Sequence, residues 1–412
     1  MTNSLKSKRS FFIGAVMLMA VSSAFAGKRK SVFVIVDGIP ADVIERVHTP
    51  AIDEISNLGG YSRAFMGGKE GGYSQTPTIS AVCYNSLLTS TWVNKHNVWG
   101  NGIEAPNYNY HTIFRIAENQ KRDVSTAIFS TWEDNRTKLV GEGKPDAGAI
   151  KLDYAYDGME LDDKNYPKEK DNLQILKIDE AVADKAAESI RTDAPDLTWV
   201  YLQYTDDAGH HFGNGDKFDG YVKDADNQVR RIWDAVKERE QKSGEEWMVV
   251  VVTDHGRKDD GYSHGGHSDR ERTVWYATNK KPNVHFNNEY NSILDVMPSI
   301  CRYMNFEIPQ SLKYEIEGVP FIGKTDLVGV EAEKSNGAIN LTWKAYNPKA
   351  KATVYMSTTN NYKTGGADQW IKVGTVKAGA ENFTVDTSKY PSNFYKFSVV
   401  TANTQNNCWY VD

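Results

Sequence analysis

The stretch "TWVYLQYTDDAGHHFG" (residues 198–213) joins an apolar run to a dense group of carboxylate and imidazole side chains. The first seven residues are rich in apolar and β-favouring side chains, which is typical of a buried strand. The polar part sets two Asp and two His around one glycine, and both side-chain types bind metals. The stretch therefore predicts a buried strand that ends at a functional site.

Three further apolar runs have the same character: "SVFVIV" (31–36), "STAIF" (125–129) and "WMVVVVT" (247–253). Segments with helical spacing lie between them, among them "TPAIDEISNL" (49–58) and "KIDEAVADKAAESIR" (177–191). Apolar strands that alternate with helices predict an α/β fold, with a mostly parallel sheet and helices on both faces. Such sheets bind ligands beyond the carboxyl ends of their strands, and three of the four runs end at or just before an Asp.

The chain changes character near residue 326. Helical spacing stops there, and short alternating runs follow, such as "AINLTWKA" (338–345), "ATVYMST" (352–358) and "NFYKFSVVTAN" (393–403). Evenly spaced short strands are typical of a small β-sandwich. The strand around Trp343 and the last run resemble a fibronectin type III module. We expect this module to act as a packing or spacer domain, with contact to a glycan or protein as the alternative.

The first 26 residues have the layout of a secretory signal. Three basic residues precede the apolar run "FFIGAVMLMAVSSAFA" (11–26), which ends in a small-x-small pattern. This layout predicts cleavage after Ala26 and export to the periplasm or the cell exterior. A retained membrane anchor is the alternative, although the apolar core is short for a bilayer span. The predicted domains are a signal peptide (1–26), an α/β catalytic domain (27–325) and the β-sandwich (326–412).

Charge and cysteine content exclude several classes of protein. The formal net charge is −6, and removal of the three basic signal residues takes it to −9. An acidic chain without a basic run is poorly suited to bind long nucleic acids. No run after the signal is long and apolar enough for a membrane span. Cys83, Cys301 and Cys408 form no CxxC metal site, and whether one pair forms a disulfide stays open.

Five of the nine histidines fall within 58 positions, and acidic residues accompany them. Asp206 and His210 are four positions apart, so in a helix they would share one face. "TDHG" (253–256) follows an apolar strand. Each group alone is also compatible with a helix cap or a surface histidine. Together they supply nitrogen and oxygen ligands that suit a pair of Zn²⁺ or similar ions. The candidate ligands are Asp37, Asp206, His210, Asp254, His255 and His264.

Paired metals with Asp and His ligands typically serve phosphoryl transfer, which requires a nucleophile nearby. A hydroxyl at the start of a helix is well placed, because the first backbone amides also hold an anion. The stretch "YSQTPTISAVCYNSLLTS" (73–90) offers Thr78, Ser80 and Ser86 where a Gly-rich loop gives way to helical spacing. These residues alone do not decide among the three hydroxyls.

Residues 30–323 resemble the alkaline phosphatase superfamily, and in particular its nucleotide pyrophosphatase and type I phosphodiesterase branch. "VFVIVDGIPADVI" (32–44) is similar to the family's opening strand with its metal-binding Asp. "PTIS" (77–80) is similar to the family's nucleophile element and selects Ser80. "YTDDAGHHFG" (204–213), "TDHG" and "HGG" (264–266) match the remaining metal-binding motifs.

The resemblance implies a role for each candidate residue. One metal would be held by Asp206, His210 and His264, and the other by Asp37, Asp254 and His255 with the Ser80 oxygen. Ser80 would be the nucleophile and would form a phosphoseryl intermediate. Asn101 and the backbone amides of Ser80 and Ala81 would bind phosphate oxygens, and His96 takes the family's histidine position. The implied cofactors are two divalent cations, with Zn²⁺ as the expected metal.

The chain departs from the family pattern after the nucleophile. The family's nucleotide phosphodiesterases have Thr followed by Phe-Pro-Asn, whereas "AVC" (81–83) follows Ser80 here. Because that Phe lines the nucleotide pocket, base recognition stays open, with Trp132 or Tyr154 as candidate stacking surfaces.

The expected function is that of a secreted hydrolase, a two-metal phosphodiesterase or nucleotide pyrophosphatase acting on a small phosphodiester or nucleotide. A phosphomonoesterase, which would need a cation such as Lys69, and a phosphonate hydrolase are alternatives on the same site. A secreted binding protein with an inactive catalytic domain is the alternative from another class. A sulfatase would need a Cys/Ser-x-Pro-x-Arg element, which neither Ser80 nor Cys83 begins.

Overall fold

The computed structural model describes residues 28–335 and 337–412, so the predicted signal peptide (1–26) lies outside the described residues. One sheet has seven strands. In chain order they are β1 (Arg29–Val36), β2 (Gly60–Phe65), β3 (Thr126–Ser130), β4 (Tyr154–Tyr156), β5 (Leu197–Leu202), β6 (Glu246–Val252) and β7 (Thr273–Thr278). Their order across the sheet is β2-β7-β6-β1-β5-β3-β4.

The centre of this sheet is parallel. β1 pairs in parallel with β5 and β6, and β3 pairs in parallel with β5 and β4. The edge formed by β7 and β2 is antiparallel. The four apolar runs predicted as strands are β1, β3, β5 and β6, and the predicted fold class, a mostly parallel sheet with helices, is confirmed.

Helices cover both faces of the sheet. They are α1 (Ala41–Ile44), α2 (Pro50–Leu58), α3 (Ser80–Thr89), α4 (Val93–His96), α5 (Ile113–Glu118), α6 (Leu173–Thr192), α7 (Tyr204–Phe212), α8 (Asp216–Ser243), α9 (Asp269–Arg272), α10 (Val296–Met304) and α11 (Gln310–Lys313). A π-helical segment covers Asn135–Val140. Short 3₁₀ turns cover Pro145–Ala147, Met159–Leu161, Lys170–Asn172, Ile293–Asp295, Asn361–Thr364, Ala378–Ala380 and Thr387–Lys389.

The alternation of side chains along β1 shows how both faces become core. Phe33 and Ile35 pack with the helices α3, α5 and α10 on one face. Val32 and Val34 pack with α2, α6 and α8 on the other. Because successive side chains of a strand point to opposite faces, a strand covered on both sides must be apolar at every position. This requirement explains the uninterrupted apolar runs in the sequence.

The three neighbouring central strands bring the polar motifs to one edge of the sheet. β6, β1 and β5 lie side by side and run in the same direction, so their carboxyl ends meet. Asp37 directly follows β1, and Asp254 and His255 follow β6. β5 leads into α7, whose first turn carries Asp206. Residues far apart in the chain therefore converge at this edge.

Residues after 326 form two antiparallel sheets. Their strands are β8 (Leu327–Ser335), β9 (Ala338–Ala345), β10 (Lys351–Ser357), β11 (Ile371–Lys377), β12 (Asn382–Asp386), β13 (Phe394–Val400) and β14 (Gln405–Val411). The sheets have the orders β11-β10-β13-β14 and β12-β9-β8, and they enclose a separate apolar core that includes Trp343. A small β-domain is therefore present, while the likeness to fibronectin type III and the boundary at 325/326 stay predictions.

Buried charged groups join the β-domain to the α/β part. Lys396 of β13 is fully buried, and its Nζ lies 2.6 Å from Glu315 Oε1 and 2.7 Å from Asp368 Oδ2. Lys95 of α4 is also fully buried, and its Nζ lies 4.6 Å from the centroid of the Trp409 ring in β14. Charges removed from water in this way must keep their partners, so the two parts are held in a defined arrangement.

Two further findings concern the sequence expectations. Within residues 28–335 and 337–412, the structure contains no helix with both the length and the apolar character needed to cross a bilayer. Cys83, Cys301 and Cys408 are all buried, and none of them forms a disulfide.

Candidate metal centre

Three buried side chains meet at the carboxyl ends of β1 and β6, and we call Asp37, Asp254 and His255 the inner cluster. His255 Nε2 lies 3.4 Å from Asp37 Oδ1 and 3.2 Å from Asp254 Oδ2, and none of the three side chains is more than 1% exposed. Their ligand atoms all lie within 4.8 Å of one another. One metal ion could therefore contact all three.

Each carboxylate of the inner cluster keeps one oxygen without a hydrogen-bond donor. Tyr84 and Tyr201 donate to Asp37 Oδ2, the latter over 2.7 Å, and Gly38 N donates to Asp254 Oδ1 over 3.0 Å. The opposite oxygens, Asp37 Oδ1 and Asp254 Oδ2, are buried and have no hydrogen-bond partner among the residues described. Because a buried acceptor without a partner is unfavourable, these oxygens fit a divalent cation.

Burial shifts the pKa values of all three residues of the inner cluster. Burial raises the pKa of Asp37 well above its usual range, and the nearby charges of Asp254 and Asp206 raise it further. Burial likewise raises the pKa of Asp254 to about 7. Burial lowers the pKa of His255, so its imidazole is neutral at pH 7. The carboxylates therefore retain protons unless a cation stabilises their ionised form.

His255 and His264 both keep Nε2 available for a metal. His255 Nδ1 lies 2.9 Å from the carbonyl oxygen of Gly256, and His264 Nδ1 lies 2.7 Å from that of Thr78. Carbonyl oxygens can only accept, so Nδ1 carries the proton in both neutral rings and Nε2 keeps the lone pair. The two rings stack with centroids 3.7 Å apart.

A second group, Asp206, His210 and His264, lies beside the first, and we call it the outer cluster. Asp206 and His210 are one turn apart in α7. His210 Nε2 lies 3.3 Å from Asp206 Oδ2 and 3.2 Å from His264 Nε2, and His264 Nε2 lies 3.5 Å from Asp206 Oδ1. Ligand atoms of Asp206, His255 and His264 also lie within 4.8 Å of one another. His255 therefore borders both clusters, and the two candidate metal positions are adjacent.

Ser80 lies against the inner cluster. It is the first residue of α3, and its Oγ is 3.3 Å from His255 Nε2. The hydroxyl therefore lies where the backbone amides at the start of a helix favour negative charge. Of the three hydroxyls that the sequence left open, Ser80 is the one with a contact to a cluster residue.

Thr78 and Ser86 have other partners. Thr78 Oγ1 accepts from Gly265 N over 3.0 Å and donates to Gly266 O over 2.9 Å, so it braces the loop that carries His264. Ser86 Oγ donates to a backbone carbonyl one turn earlier in α3 over 2.8 Å. These contacts argue against either hydroxyl as the nucleophile.

Asn101 lies at the start of α3, next to Ser80. Its Oδ1 accepts a hydrogen bond from Ala81 N over 3.0 Å. The Ala81 amide is paired with Asn101 in this arrangement, and its contact with a phosphate oxygen stays a prediction. The donor that Asn101 can still offer is its Nδ2 amide. His96 is buried, with Nε2 3.0 Å from Ser86 Oγ, and burial lowers its pKa to about 3.

Asp207, His211 and His267, which neighbour the metal-binding motifs in the sequence, lie outside the two clusters. Asp207 accepts hydrogen bonds from Asn172 and Gln203, and His267 Nε2 lies 2.9 Å from the Gln75 amide nitrogen. His211 is exposed.

The structure also distinguishes among the three candidates for substrate binding, which are Lys69, Trp132 and Tyr154. Lys69 lines a cavity of about 530 Å³ between the loop before α3 and the β-domain, and that lining includes none of the cluster residues. Trp132 follows β3 at its carboxyl end and packs edge-on against Tyr84. Tyr154 pairs with Ala127 near the start of β3, away from the carboxyl ends. Trp132 is therefore the better placed of the two candidate stacking surfaces.

Sequence reasoning missed three residues that touch the clusters: Tyr84, Tyr201 and Arg257. Arg257 Nη2 donates to the main-chain oxygen of Asp206 over 2.6 Å and forms an ion pair with its carboxylate. Burial would raise the pKa of Asp206, but the charge of Arg257, the hydrogen bond from His210 and the charges of the other two histidines together hold that pKa well below its usual range. Arg257 could have been identified from the sequence, because it directly follows the metal-binding motif "TDHG". The contacts of the two tyrosines with Asp37 have no local signature.

Comparison with solved structures finds similar chains. A candidate sulfatase from Bacteroides thetaiotaomicron is 12% identical and matches over 92% of this chain and 85% of that chain, with a TM-score of 0.50. Murine ectonucleotide pyrophosphatase/phosphodiesterase 5 is 13% identical over 68% of this chain and 96% of that chain, with a TM-score of 0.47. An alkaline phosphatase superfamily protein from Vibrio parahaemolyticus is 12% identical over 77% of each chain, with a TM-score of 0.46.

Comparison of sequences identifies the family. No curated protein sequence matches the chain. The family model described as type I phosphodiesterase / nucleotide pyrophosphatase matches residues 31–265, a range that begins in β1 and ends just after His264. This match spans more than half of the chain, and the chain therefore belongs to the type I phosphodiesterase/nucleotide pyrophosphatase family.

Proposed function

We propose that this protein is an exported two-metal phosphodiesterase or nucleotide pyrophosphatase that cleaves phosphodiester or phosphoanhydride bonds through a phosphoseryl intermediate. The observation that carries the proposal is the position of Ser80, whose Oγ lies 3.3 Å from His255 Nε2 at the first turn of α3. A nucleophile, a helix N-terminus and two adjacent ligand clusters then share one small region.

The two clusters would hold one divalent cation each. The inner cluster supplies Asp37 Oδ1, Asp254 Oδ2 and His255 Nε2, and the outer cluster supplies Asp206, His210 and His264. These nitrogen and oxygen ligands suit Zn²⁺. When bound, such cations lower the pKa of a neighbouring hydroxyl and neutralise charge on a phosphoryl group.

The chain's own residues perform two displacements. Ser80 Oγ attacks phosphorus as its proton is released to solvent, a new Oγ–P bond forms, and the leaving oxygen departs with the bonding electron pair. Water then attacks the same phosphorus with loss of a proton, and the Oγ–P bond breaks so that Ser80 Oγ regains a proton. The Nδ2 amide of Asn101 and the first turn of α3 donate hydrogen bonds to the oxygens of the phosphoryl group and stabilise its developing charge.

A diester is the favoured substrate because neither Lys69 nor Arg257 is available to bind the extra charge of a monoester. Lys69, the residue that a phosphomonoesterase would use, lines a cavity apart from the clusters. Arg257 is fully buried and is already paired with Asp206. Both observations support the ranking of diester over monoester.

The purified protein loaded with Zn²⁺ should hydrolyse bis-p-nitrophenyl phosphate or a p-nitrophenyl nucleotide monophosphate with a higher kcat/KM than p-nitrophenyl phosphate. Ser80→Ala should lose turnover and retain both metals, whereas the matched Ser86→Ala, in the same helix, should retain turnover. A higher kcat/KM for the monoester would reverse the substrate ranking. Full activity of Ser80→Ala would exclude Ser80 as the nucleophile.

Export is a separate part of the proposal, and it rests on the sequence of residues 1–26. The mature protein recovered from the periplasm or the medium should begin at Gly27. An intact N-terminus that fractionates with membranes would favour the retained anchor instead.

A further inference from the structure

Arg257 brings a permanent positive charge into direct contact with Asp206 of the outer cluster. Its side chain is fully buried. Nη2 donates to the main-chain oxygen of Asp206 over 2.6 Å and contacts Asp206 Oδ1, and Nε donates to Gly38 O over 3.0 Å. Asp206 is the carboxylate that compensates this buried charge.

The position of the guanidinium is built into the fold. A methyl group on Gly209 of α7 would lie 2.2 Å from Arg257 Cζ, and one on Gly38 would lie 2.9 Å from Nη2. Both positions are glycine, so the backbone can approach the guanidinium closely on two sides. Arg257 is therefore a fixed element of the outer cluster and not a side chain that swings into it.

The two clusters consequently differ in charge. The inner cluster offers two carboxylates, and their free oxygens, Asp37 Oδ1 and Asp254 Oδ2, have no protein donor among the described residues. The outer cluster offers one carboxylate, which is already paired with Arg257, and two imidazoles, which carry no negative charge. A divalent cation at the inner cluster meets two negative charges, whereas one at the outer cluster meets no net charge. Cation affinity depends steeply on ligand charge, and the difference is larger in a buried site.

We propose that Arg257 makes the two metal sites unequal, so that the inner cluster binds its cation tightly and the outer cluster binds its cation weakly. This inference rests on the proposed two-metal function and adds an order of loading to it. At limiting metal concentration the protein would hold one cation, at Asp37, Asp254 and His255.

The wild-type protein provides the first test. Metal-free full-length protein is titrated with Zn²⁺ in the presence of a competing chelator, and the bound metal is counted after dialysis. We expect two binding steps whose Kd values differ by roughly tenfold or more. His210→Ala should remove the weaker step, and Asp254→Asn should remove the tighter one. Two steps of equal affinity, or the reverse assignment of the steps, would overturn the proposal.

Substitution of Arg257 provides the second test. Arg257→Met removes the charge and keeps much of the volume, and it should tighten the weaker step by roughly tenfold while leaving the tighter step unchanged. Arg257→Lys keeps the charge and should keep the two steps apart. Weaker binding at the outer cluster in Arg257→Met would mean that the arginine only orients Asp206, and the proposal would be wrong. If the methionine variant does not fold, as judged by circular dichroism, Arg257→Gln, which also removes the charge, replaces it in the same titration.

The tests separate this inference from the proposed function. Absence of any Zn²⁺ binding by the wild-type protein would contradict both. Two equally tight Zn²⁺ ions would leave the proposed function intact and overturn only the inequality assigned to Arg257.

Discussion

At the scale of single residues, Asp37 depends on two buried tyrosines for its orientation. Tyr201 OH donates to Asp37 Oδ2 over 2.7 Å, and Tyr84 OH contacts the same oxygen. The two hydroxyls are 2.8 Å apart, so together they fix one carboxylate oxygen and leave Oδ1 for a cation. Residues that hold a metal ligand in this way affect metal affinity nearly as strongly as the ligand itself.

Tyr201→Phe should weaken Zn²⁺ binding at the inner cluster by about 10- to 100-fold, because Asp37 loses a donor that holds it. Tyr204→Phe is the matched control, since Tyr204 OH donates to Asp171 O and touches no cluster residue. Chelator competition measures both variants against the wild type. Equal Kd values for wild type and Tyr201→Phe would show that Asp37 keeps its position without this hydrogen bond.

Metal binding at the inner cluster should depend on pH. The pKa of Asp254 is raised to about 7 by burial, and that of Asp37 is raised as well. Below these values the metal-free carboxylates hold protons that a cation must displace, so affinity should rise as the pH increases through 7. Calorimetry of the wild-type protein at pH 6.5 in buffers of different ionisation enthalpy should detect released protons. Proton-free binding at that pH would contradict the raised pKa values.

The residues that the sequence could identify are those with a local signature. Asp206 and His210 are one helical turn apart, and Asp254 and His255 directly follow an apolar strand. The contact between Tyr201 and Asp37 joins positions 164 residues apart, so no local pattern encodes it. The sequence likewise gave no sign that the Ala81 amide would be taken up by Asn101.

At the scale of elements, α7 passes close to the side chain of Arg257, and this contact restricts the residue at position 209. Gly209 lies inside this helix, where a glycine normally lowers stability. Its lack of a side chain is required because a methyl group there would lie 2.2 Å from Arg257 Cζ. Gly209 therefore lowers the intrinsic stability of α7 but allows the close contact between this helix and Arg257.

Gly209→Ala should lower the free energy of unfolding by about 1–3 kcal/mol, because the added methyl group overpacks a closed contact. Gly220→Ala is the matched control, since Gly220 lies within α8 and a methyl group there would meet no atom within 4 Å. This control should raise the free energy of unfolding by about 0.5–1 kcal/mol. Chemical denaturation measures both, and a stabilised Gly209→Ala would contradict the described contact.

Element prediction succeeded where periodicity was strong. The segments at 49–58 and 177–191 coincide with α2 (Pro50–Leu58) and with much of α6 (Leu173–Thr192). The antiparallel edge of β2 and β7 was not predicted, because strand order depends on packing between distant segments and not on local pattern. The π-helical segment Asn135–Val140 also lacks a distinctive sequence pattern.

At the scale of the whole molecule, the β-domain is packed against the α/β part through buried charges. Lys396 lies between Glu315 and Asp368, and its ammonium is 5.0 Å from the centroid of the Trp409 ring. Lys95 approaches the same ring at 4.6 Å from the other part of the chain. Such an interface supports a packing role for the β-domain, which was one of the roles expected from the sequence.

Lys396→Ala should lower the free energy of unfolding by about 3–5 kcal/mol, because it leaves two buried carboxylates without their partner. Lys372→Ala, on the exposed side of β11, should change it by no more than about 0.5 kcal/mol. Thermal and chemical unfolding measure both variants. Equal stability of the two would mean that the β-domain is only loosely associated with the rest of the molecule.

The overall architecture was largely accessible from the sequence, since uninterrupted apolar strands and evenly spaced short strands have few alternative folds. The relative arrangement of the two parts was not accessible. It depends on lysines that composition alone assigns to the surface, and Lys95 and Lys396 are fully buried.

The central claim is that two adjacent cations bind beside a serine nucleophile at the carboxyl edge of the sheet. Anomalous diffraction from crystals of the Zn²⁺-loaded protein tests it most directly. The account predicts two peaks, one among Asp37, Asp254 and His255 and one among Asp206, His210 and His264, with Ser80 Oγ next to the first. Peaks at other residues, or a Ser80 Oγ remote from both metals, would contradict it.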